Sequence, residues 1–230
     1  MRKPVPQWCF RKLICDTYNN RYTPRDFAQY GEIEDWDTSR IICLDRAFQG
    51  CESFQRDISR WDTRAVKSAV GTFDGLVNFD CDLSGWNTSA MTDMSGMFYR
   101  ARSFQGKGLG CWDTRAVTRM NYMFYMASAF RGDGLSRWDT RAVTDMASMF
   151  HHATAFQEDI SRWNTDQVTD MSYMFYCADT FLRTPRLRAG VRRWRVLPHM
   201  LPYLYAHPWL RVTFEEDGDA DDVVYTAYAS

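Results

Sequence analysis

The stretch WDTRAVTDMASMFHHATAF, residues 138–156, recurs in close copies along the chain. Residues 112–130 read WDTRAVTRMNYMFYMASAF, and residues 61–79 read WDTRAVKSAVGTFDGLVNF. Internal similarity with a period of roughly 20 to 50 residues is typical of proteins in which each unit stacks on its neighbours. The copies therefore predict a repeat architecture.

Three aromatic columns, meaning positions that are equivalent from repeat to repeat, keep their spacing through six repeats. A tryptophan begins each repeat, a phenylalanine follows twelve residues later, and a second phenylalanine follows after six more. The tryptophans are Trp36, Trp61, Trp86, Trp112, Trp138 and Trp163, the first phenylalanines are Phe48, Phe73, Phe98, Phe124, Phe150 and Phe175, and the second are Phe54, Phe79, Phe104, Phe130, Phe156 and Phe181. One repeat cannot bury these rings alone, so we expect like residues to stack on like.

Two polar columns follow each tryptophan. The next residue is Asp or Asn, and the one after it is a threonine in all six repeats. The threonines are Thr38, Thr63, Thr88, Thr114, Thr140 and Thr165. Asp and Asn turn and cap the backbone locally. We expect both columns to form hydrogen-bonded ladders between repeats at the corner after the tryptophan.

Shorter patterns predict the local structure of a repeat. The segment DISRWDT, residues 57–63, indicates a short strand that enters a turn. The segment MFYMAS, residues 123–128, favours a short helical or 3-10 stretch, because apolar residues around it follow helical spacing. Two repeats carry an extra residue in the glycine-rich segments GKGLGCW and GDGLSRW, which we expect to be loops on the outside of the coil.

The unit from Asp159 to Phe181, DISRWNTDQVTDMSYMFYCADTF, resembles the repeats of BspA-like leucine-rich-repeat surface proteins. More narrowly, it is similar to the lipoprotein-type repeat of about 25 residues found in mycoplasmas, other bacteria, protists and some large DNA viruses. The patterns W-[DN]-T, V-T-x-M and M-F-x-x-A, with the last phenylalanine, carry this resemblance over about residues 31–182. The resemblance implies a right-handed, LRR-like solenoid that binds proteins or surfaces and has no catalytic activity.

Composition divides the chain into three parts. Residues 1–30 are rich in aromatic side chains and suit an N-terminal cap, residues 31–182 hold the six-repeat solenoid, and residues 183–230 form a C-terminal cap or tail. Six arginines lie between residues 183 and 195, and the acidic block EEDGDADD occupies residues 215–222. The arginines either pair with the acidic block or bind an anionic partner such as nucleic acid.

Composition also bounds the class of protein. Lys and Arg total 28 against 29 Asp and Glu, so global charge gives no signal for nucleic acid, whereas 45% hydrophobic residues suffice for a large core. The seven cysteines include no CxxC motif, so zinc and redox motifs lack support and a reduced setting is expected. No apolar stretch is typical of a secretory signal or a membrane span. We therefore expect an intracellular or virion location, although proteins with similar repeats are often on the cell surface.

Catalytic motifs are missing from the sequence. It contains no GxSxG, HExxH, P-loop or dinucleotide-binding pattern. We therefore expect no enzyme, no catalytic residue, no metal and no cofactor. His151 and His152 occupy a position whose residue type varies between repeats, so we interpret them as surface residues.

Arginines beside the tryptophans are the candidate partner-binding residues. They are Arg60, Arg64, Arg115, Arg137, Arg141 and Arg162. One interpretation is a solvated stripe that neighbouring aspartates neutralise, and the other is a charged recognition face for a protein partner.

These patterns predict a non-enzymatic protein–protein interaction or structural repeat protein. An alternative is a structural subunit of a larger assembly such as a virion, in which neighbouring subunits are the partners. A second alternative is nucleic-acid binding through the run from Arg183 to Arg195, although a nucleic-acid partner is less expected than a protein.

Overall fold

A computed structural model describes residues 3–19, 21–191, 194, 204, 210–214 and 223–227. Regular elements are confined to the two ends and to the segments just before some tryptophans. The 3-10 helices are Gln7–Cys9, Ile33–Asp35, Leu109–Cys111 and Leu135–Arg137, the α-helices are α1 (Phe10–Tyr18), α2 (Pro24–Tyr30), α3 (Asp179–Arg183) and α4 (Pro185–Val191), and the strands are β1 (Leu210–Phe214) and β2 (Val223–Ala227). β1 and β2 pair antiparallel, with Leu210 opposite Ala227.

Equivalent aromatic rings of consecutive repeats lie on one another. Ring centroids in the first phenylalanine column are 5.3 to 5.8 Å apart. Four of the five pairs of tryptophans from successive repeats have ring centroids 6.1 to 6.5 Å apart and ring planes within 10° of parallel. Within each repeat the ring centroids of the two phenylalanines are 3.8 to 4.5 Å apart. Each buried phenylalanine contributes roughly 1.5–3 kcal/mol relative to exposure, so these columns form the core.

The backbones of neighbouring repeats are joined in parallel. The residues seven positions after the tryptophans form single parallel bridges, in the order Cys43, Ser68, Asp93, Arg119, Asp145 and Asp170. Beyond the bridge, alternate N–H groups donate to carbonyl oxygens of the next repeat. Between repeats 4 and 5 these bonds join Met120 to Asp145 at 3.0 Å, Tyr122 to Ala147 at 2.8 Å, Phe124 to Met149 at 2.9 Å and Met126 to His151 at 2.7 Å. The repeats therefore satisfy their backbone groups without longer strands.

The local structure differs from the sequence prediction in two places. The strand expected over residues 57–63 was wrong, because this segment is a turn flanked by extended residues. The helical stretch expected over residues 123–128 was also wrong, and turns occupy it. Where the described repeats have a 3-10 helix, it lies before the tryptophan, as at Leu109–Cys111.

Left-handed residues explain why no helix forms there. Two positions in every repeat, ten and fourteen residues after the tryptophan, have φ between +50° and +87°. They are Arg46, Gly71, Gly96, Tyr122, Ser148 and Tyr173, and Gly50, Gly75, Arg100, Met126, His152 and Cys177. A left-handed residue interrupts the helical backbone, so the N–H groups of these residues become available to the next repeat.

The glycine-rich segments are closely packed, which corrects the expectation of outer loops. Gly108 has φ +93°, and a Cβ atom there would lie 2.2 Å from the backbone nitrogen of Ser84. A Cβ atom on Gly106 would lie 2.7 Å from the ring of Phe130. These glycines are needed because neighbouring repeats approach too closely for a side chain.

The N-terminal segment covers the first repeat. Phe10 of α1 packs edge-on against Trp36 and Trp61, with ring centroids 5.9 and 5.3 Å apart. The Gln7 side chain accepts hydrogen bonds from the N–H groups of Ile42 and Cys43 and donates to the Cys43 carbonyl. This amide occupies the edge where a preceding repeat would bond, so it caps the backbone ladder.

The C-terminal segment continues the tryptophan column. Trp194 stacks on Trp163 with ring centroids 6.2 Å apart and planes 4° from parallel. The N–H of Phe175 donates to the carbonyl of Leu204 at 3.2 Å. Trp194 lies 31 residues after Trp163, outside the repeat spacing, so the sequence pattern did not reveal its position.

Paired glycine substitutions test the close approach of the repeats. Gly50→Ala should lower the free energy of unfolding by only about 1–2 kcal/mol, which is the cost of an alanine in the left-handed conformation, because no atom lies within 4 Å of the added Cβ. Gly108→Ala should lower it clearly more, because backbone atoms of Ser84 obstruct the added Cβ. The measurement is the free energy of unfolding from urea denaturation. Equal losses would show that repeats 2 and 3 do not meet at Gly108.

Candidate functional site

The threonine column holds the repeats together. Each of five threonine hydroxyls donates to the backbone carbonyl of the Asp or Asn in the next repeat, at 2.8 to 3.1 Å. Thr114 also accepts a hydrogen bond from the Asp139 N–H at 2.9 Å. All six threonines are at most 3% exposed. These hydroxyls are therefore structural.

The tryptophan indoles make a second set of bonds between repeats. Within the six repeats, every indole N–H after that of Trp36 donates to the carbonyl of the Ile or Leu three residues before the preceding tryptophan, at 2.8 to 3.2 Å. Buried indole N–H groups usually have such a partner, whereas that of Trp194 has none among the described residues. The bond fixes each tryptophan over the one below it.

The Asp and Asn side chains, in contrast, bond within their own repeats. The Asp62 carboxylate accepts from the Arg64 N–H at 3.2 Å, and the Asn87 side chain accepts from the Ser89 N–H at 3.1 Å. The expectation of a ladder between repeats therefore applies to the threonines, whereas the Asp and Asn side chains stabilise the local turn.

Three candidate arginines pair with aspartates two residues before them. The pairs are Arg64 with Asp62, Arg115 with Asp113 and Arg141 with Asp139. Two guanidinium nitrogens bind each carboxylate, which lowers the pKa of the aspartate and raises that of the arginine. The arginine side chains are 72 to 74% exposed, so solvent screens each pair and its contribution to stability is small. We call these three pairs the Arg–Asp corner.

The other three candidates precede a tryptophan. Arg60 binds Asp35, the residue before Trp36, at 3.0 Å. Arg137 and Arg162 line one groove of about 350 Å³ together with Glu158 and Asp159. This groove thus brings Arg137 and Arg162 together beside carboxylates of the same chain.

A surface that the sequence analysis missed lies thirteen residues after the tryptophans. Tyr99, Tyr125, His151 and Tyr176 stack in this column, with ring centroids 4.6, 4.4 and 4.6 Å apart. Tyr122 and Tyr173 lie against this stack and are 42% and 40% exposed. We call these six residues the tyrosine face. The aromatic type at one offset in four successive repeats was the available signal.

His151 is part of this stack, which corrects its interpretation as a variable surface residue. Its ring lies between Tyr125 and Tyr176 and is half-buried. Burial lowers the pKa of His151 to about 4, and neighbouring His152 adds to this effect. Within the described part of the chain, the buried Nδ1 has no hydrogen-bond partner. His151 is therefore neutral at physiological pH.

Charged groups border the first rings of the tyrosine face. A depression of about 410 Å³ is lined by Arg46, Asp74, Tyr99 and Tyr122, among others. Burial raises the pKa of Asp74. The guanidinium of Arg100 lies 5.1 Å from the centre of the Tyr99 ring. This surface combines aromatic area with both signs of charge.

Only part of the arginine run can be placed. Arg183 ends α3, and Arg186 and Arg188 lie in α4. The remaining arginines up to Arg195 and the acidic block lie outside the described residues, and so does their expected pairing.

Among the described residues, no three His, Cys, Asp or Glu side chains are grouped to hold a metal ion. None of the described helices has the length and apolar character needed to cross a membrane.

Comparison with known proteins gives one match. The family model described as "Mycoplasma protein of unknown function, DUF285" matches residues 18–108 and again residues 104–193. Together the two matches cover well over half of the 230 residues. No curated protein and no solved structure matches the chain significantly.

Neighbouring substitutions separate the threonine ladder from the Arg–Asp corner. Thr114→Val should lower the free energy of unfolding by about 1–3 kcal/mol, because it leaves the Asp139 N–H and carbonyl without their partner. Arg115→Ala should lower the free energy of unfolding much less, because solvent screens its ion pair with Asp113. Urea denaturation of both variants measures the difference. The reverse order would assign the stabilising role to the arginines.

The neutral state of His151 predicts a pH effect. The unfolded chain binds a proton near pH 6.5, whereas folded His151 binds one only near pH 4. Stability should therefore fall as pH decreases from 6.5 towards 4. The variant His151→Tyr has the tyrosine that repeats 4 and 6 carry at this position. Its free energy of unfolding, measured by urea denaturation, should fall less between pH 6.5 and 4 than that of the original chain. Parallel stability curves would place His151 outside the stack.

Proposed function

The chain belongs to the DUF285 family, and we propose that it is a non-enzymatic repeat protein that binds another protein through the tyrosine face. Its architecture in this proposal is a right-handed, LRR-like solenoid of the BspA-like type. The buried columns are the scaffold, and exposed positions that vary between repeats provide specificity.

The use of the repeated polar groups supports a scaffold role. Threonine hydroxyls and tryptophan N–H groups bond neighbouring repeats, and the arginines of the Arg–Asp corner are held by their own aspartates. Groups held in this way stabilise the stack and are not poised to transfer protons or attack a substrate.

The composition of the tyrosine face is the observation that carries the binding proposal. Tyrosine and arginine are enriched among the residues that dominate binding energy at protein interfaces. The four stacked rings hold each other in place, so little side-chain freedom is lost on binding. Tyr122 and Tyr173 add exposed aromatic area beside them.

The Arg–Asp corner is less suited to binding a protein partner than the tyrosine face is. A partner that covered these pairs would have to remove both charges from water or separate them. The tyrosine face carries aromatic area whose burial is favourable, and we therefore prefer it as the binding surface.

Site-specific photo-cross-linking tests the proposal in cells that produce the protein. A photoreactive residue at position 122 should capture a protein that the same residue at position 141 does not capture. The captured protein is then purified and its Kd measured. Tyr122→Ala combined with Tyr173→Ala should weaken binding at least about tenfold, because residues of this kind contribute more than about 1 kcal/mol each.

Arg115→Ala combined with Arg141→Ala is the matched control and should change the Kd less than about twofold. Thermal unfolding of each variant verifies that the stack is intact. A loss of binding only in the arginine variant would move the interface to the Arg–Asp corner. Capture of nucleic acid at position 122 would contradict a protein partner.

A further inference from the structure

Two cysteines that are distant in sequence meet where α1 packs on the first repeat. Cys15 belongs to α1, and Cys51 lies fifteen residues after Trp36. Their Sγ atoms are 4.0 Å apart, across a separation of 36 residues. Both are free thiols. No sequence motif joins them, so only the packing of α1 brings them together.

Contacts on both sides of Cys15 hold this arrangement. The Arg11 guanidinium donates to the side-chain oxygen of Gln49 at 2.9 Å, one helical turn before Cys15. The Ser53 N–H donates to the hydroxyl of Tyr18 at 3.3 Å, near the end of α1. These bonds fix the helix along residues 49–53, with Cys15 facing Cys51.

We propose that Cys15 and Cys51 form a reversible disulfide that fastens α1 to the first repeat. Sulfur atoms in a disulfide are about 2.05 Å apart, so the two thiols must approach by about 2 Å. Closing this gap requires rotation of the Cys15 side chain, with little movement of the backbone of α1. The contacts that flank Cys15 keep both sulfurs within this range.

The reaction is thiol–disulfide exchange with a small-molecule disulfide such as oxidised glutathione. Cys15 is partly exposed, loses its proton and attacks one sulfur of the oxidant, which gives a mixed disulfide and one released thiol. Cys51 then loses its proton, attacks the Cys15 sulfur and releases the second thiol. Two protein thiols are oxidised by two electrons, and the oxidant is reduced to two thiols that take up the two protons.

Burial assigns the order of the two cysteines. Cys51 is fully buried, and this burial, with the adjacent Cys15, raises its pKa to about 12. A thiol in this state does not meet the oxidant first, so Cys15 is the entry sulfur and Cys51 the resolving sulfur. The bond would then fix the helix that places Phe10 over Trp36 and Trp61.

The test uses the full reduced chain incubated with oxidised glutathione. The intact mass should fall by two hydrogen atoms, the number of alkylatable thiols should fall by two, and peptide mapping should join residues 15 and 51. The Tm should rise by about 5 °C or more, because the bond constrains the unfolded chain. Dithiothreitol should reverse each change.

Two variants and one control complete the experiment. Cys15→Ser, at the less buried position, should fold, form no internal disulfide and show no rise in Tm, and Cys51→Ala should behave in the same way. Cys111→Ser, which removes an exposed cysteine, should oxidise like the original chain. A persistent mixed disulfide on Cys15, an internal bond to another cysteine, or a Tm that is unchanged or lower after Cys15–Cys51 bond formation would overturn the proposal.

Discussion

Stacking of identical aromatic rings from successive repeats sets the spacing and register of the whole chain of repeats. The first phenylalanines repeat at 5.3 to 5.8 Å, and each one also touches the second phenylalanine of its own repeat. A single repeat has too few atoms to cover these rings, so its folding requires a neighbour. The indole bond to the residue three before the preceding tryptophan, as from Trp138 to Leu109, adds direction to this attraction and favours one register.

The same requirement explains the backbone. Rings can stack only if the repeats keep a constant spacing, and the left-handed residues maintain it by presenting alternate N–H groups to the next repeat. A left-handed conformation costs a non-glycine residue about 1–2 kcal/mol, which the bonds between repeats offset at residues such as Tyr122. Glycine becomes necessary only where backbones approach too closely for a Cβ atom, as at Gly108.

Regular packing separates scaffold from surface. The three aromatic columns and the threonine column keep one residue type in all six repeats, whereas the column thirteen residues after tryptophan changes from Gln49 and Asp74 to the rings of the tyrosine face. This column can change because the buried aromatic columns do not depend on it. The two ends need different chemistry, and α1 and Trp194 cover the terminal rings.

Residue spacing was enough to predict the six repeats, the buried aromatic columns and the threonine positions, since equivalent positions share an environment. Spacing could not predict that turns replace the expected strand and helix, because the left-handed residues follow from bonds to the next repeat. The tertiary structure also placed His151 between two tyrosines and Trp194 on Trp163. The meeting of Cys15 with Cys51 depends on how α1 docks, and no local pattern records a contact between segments 36 residues apart.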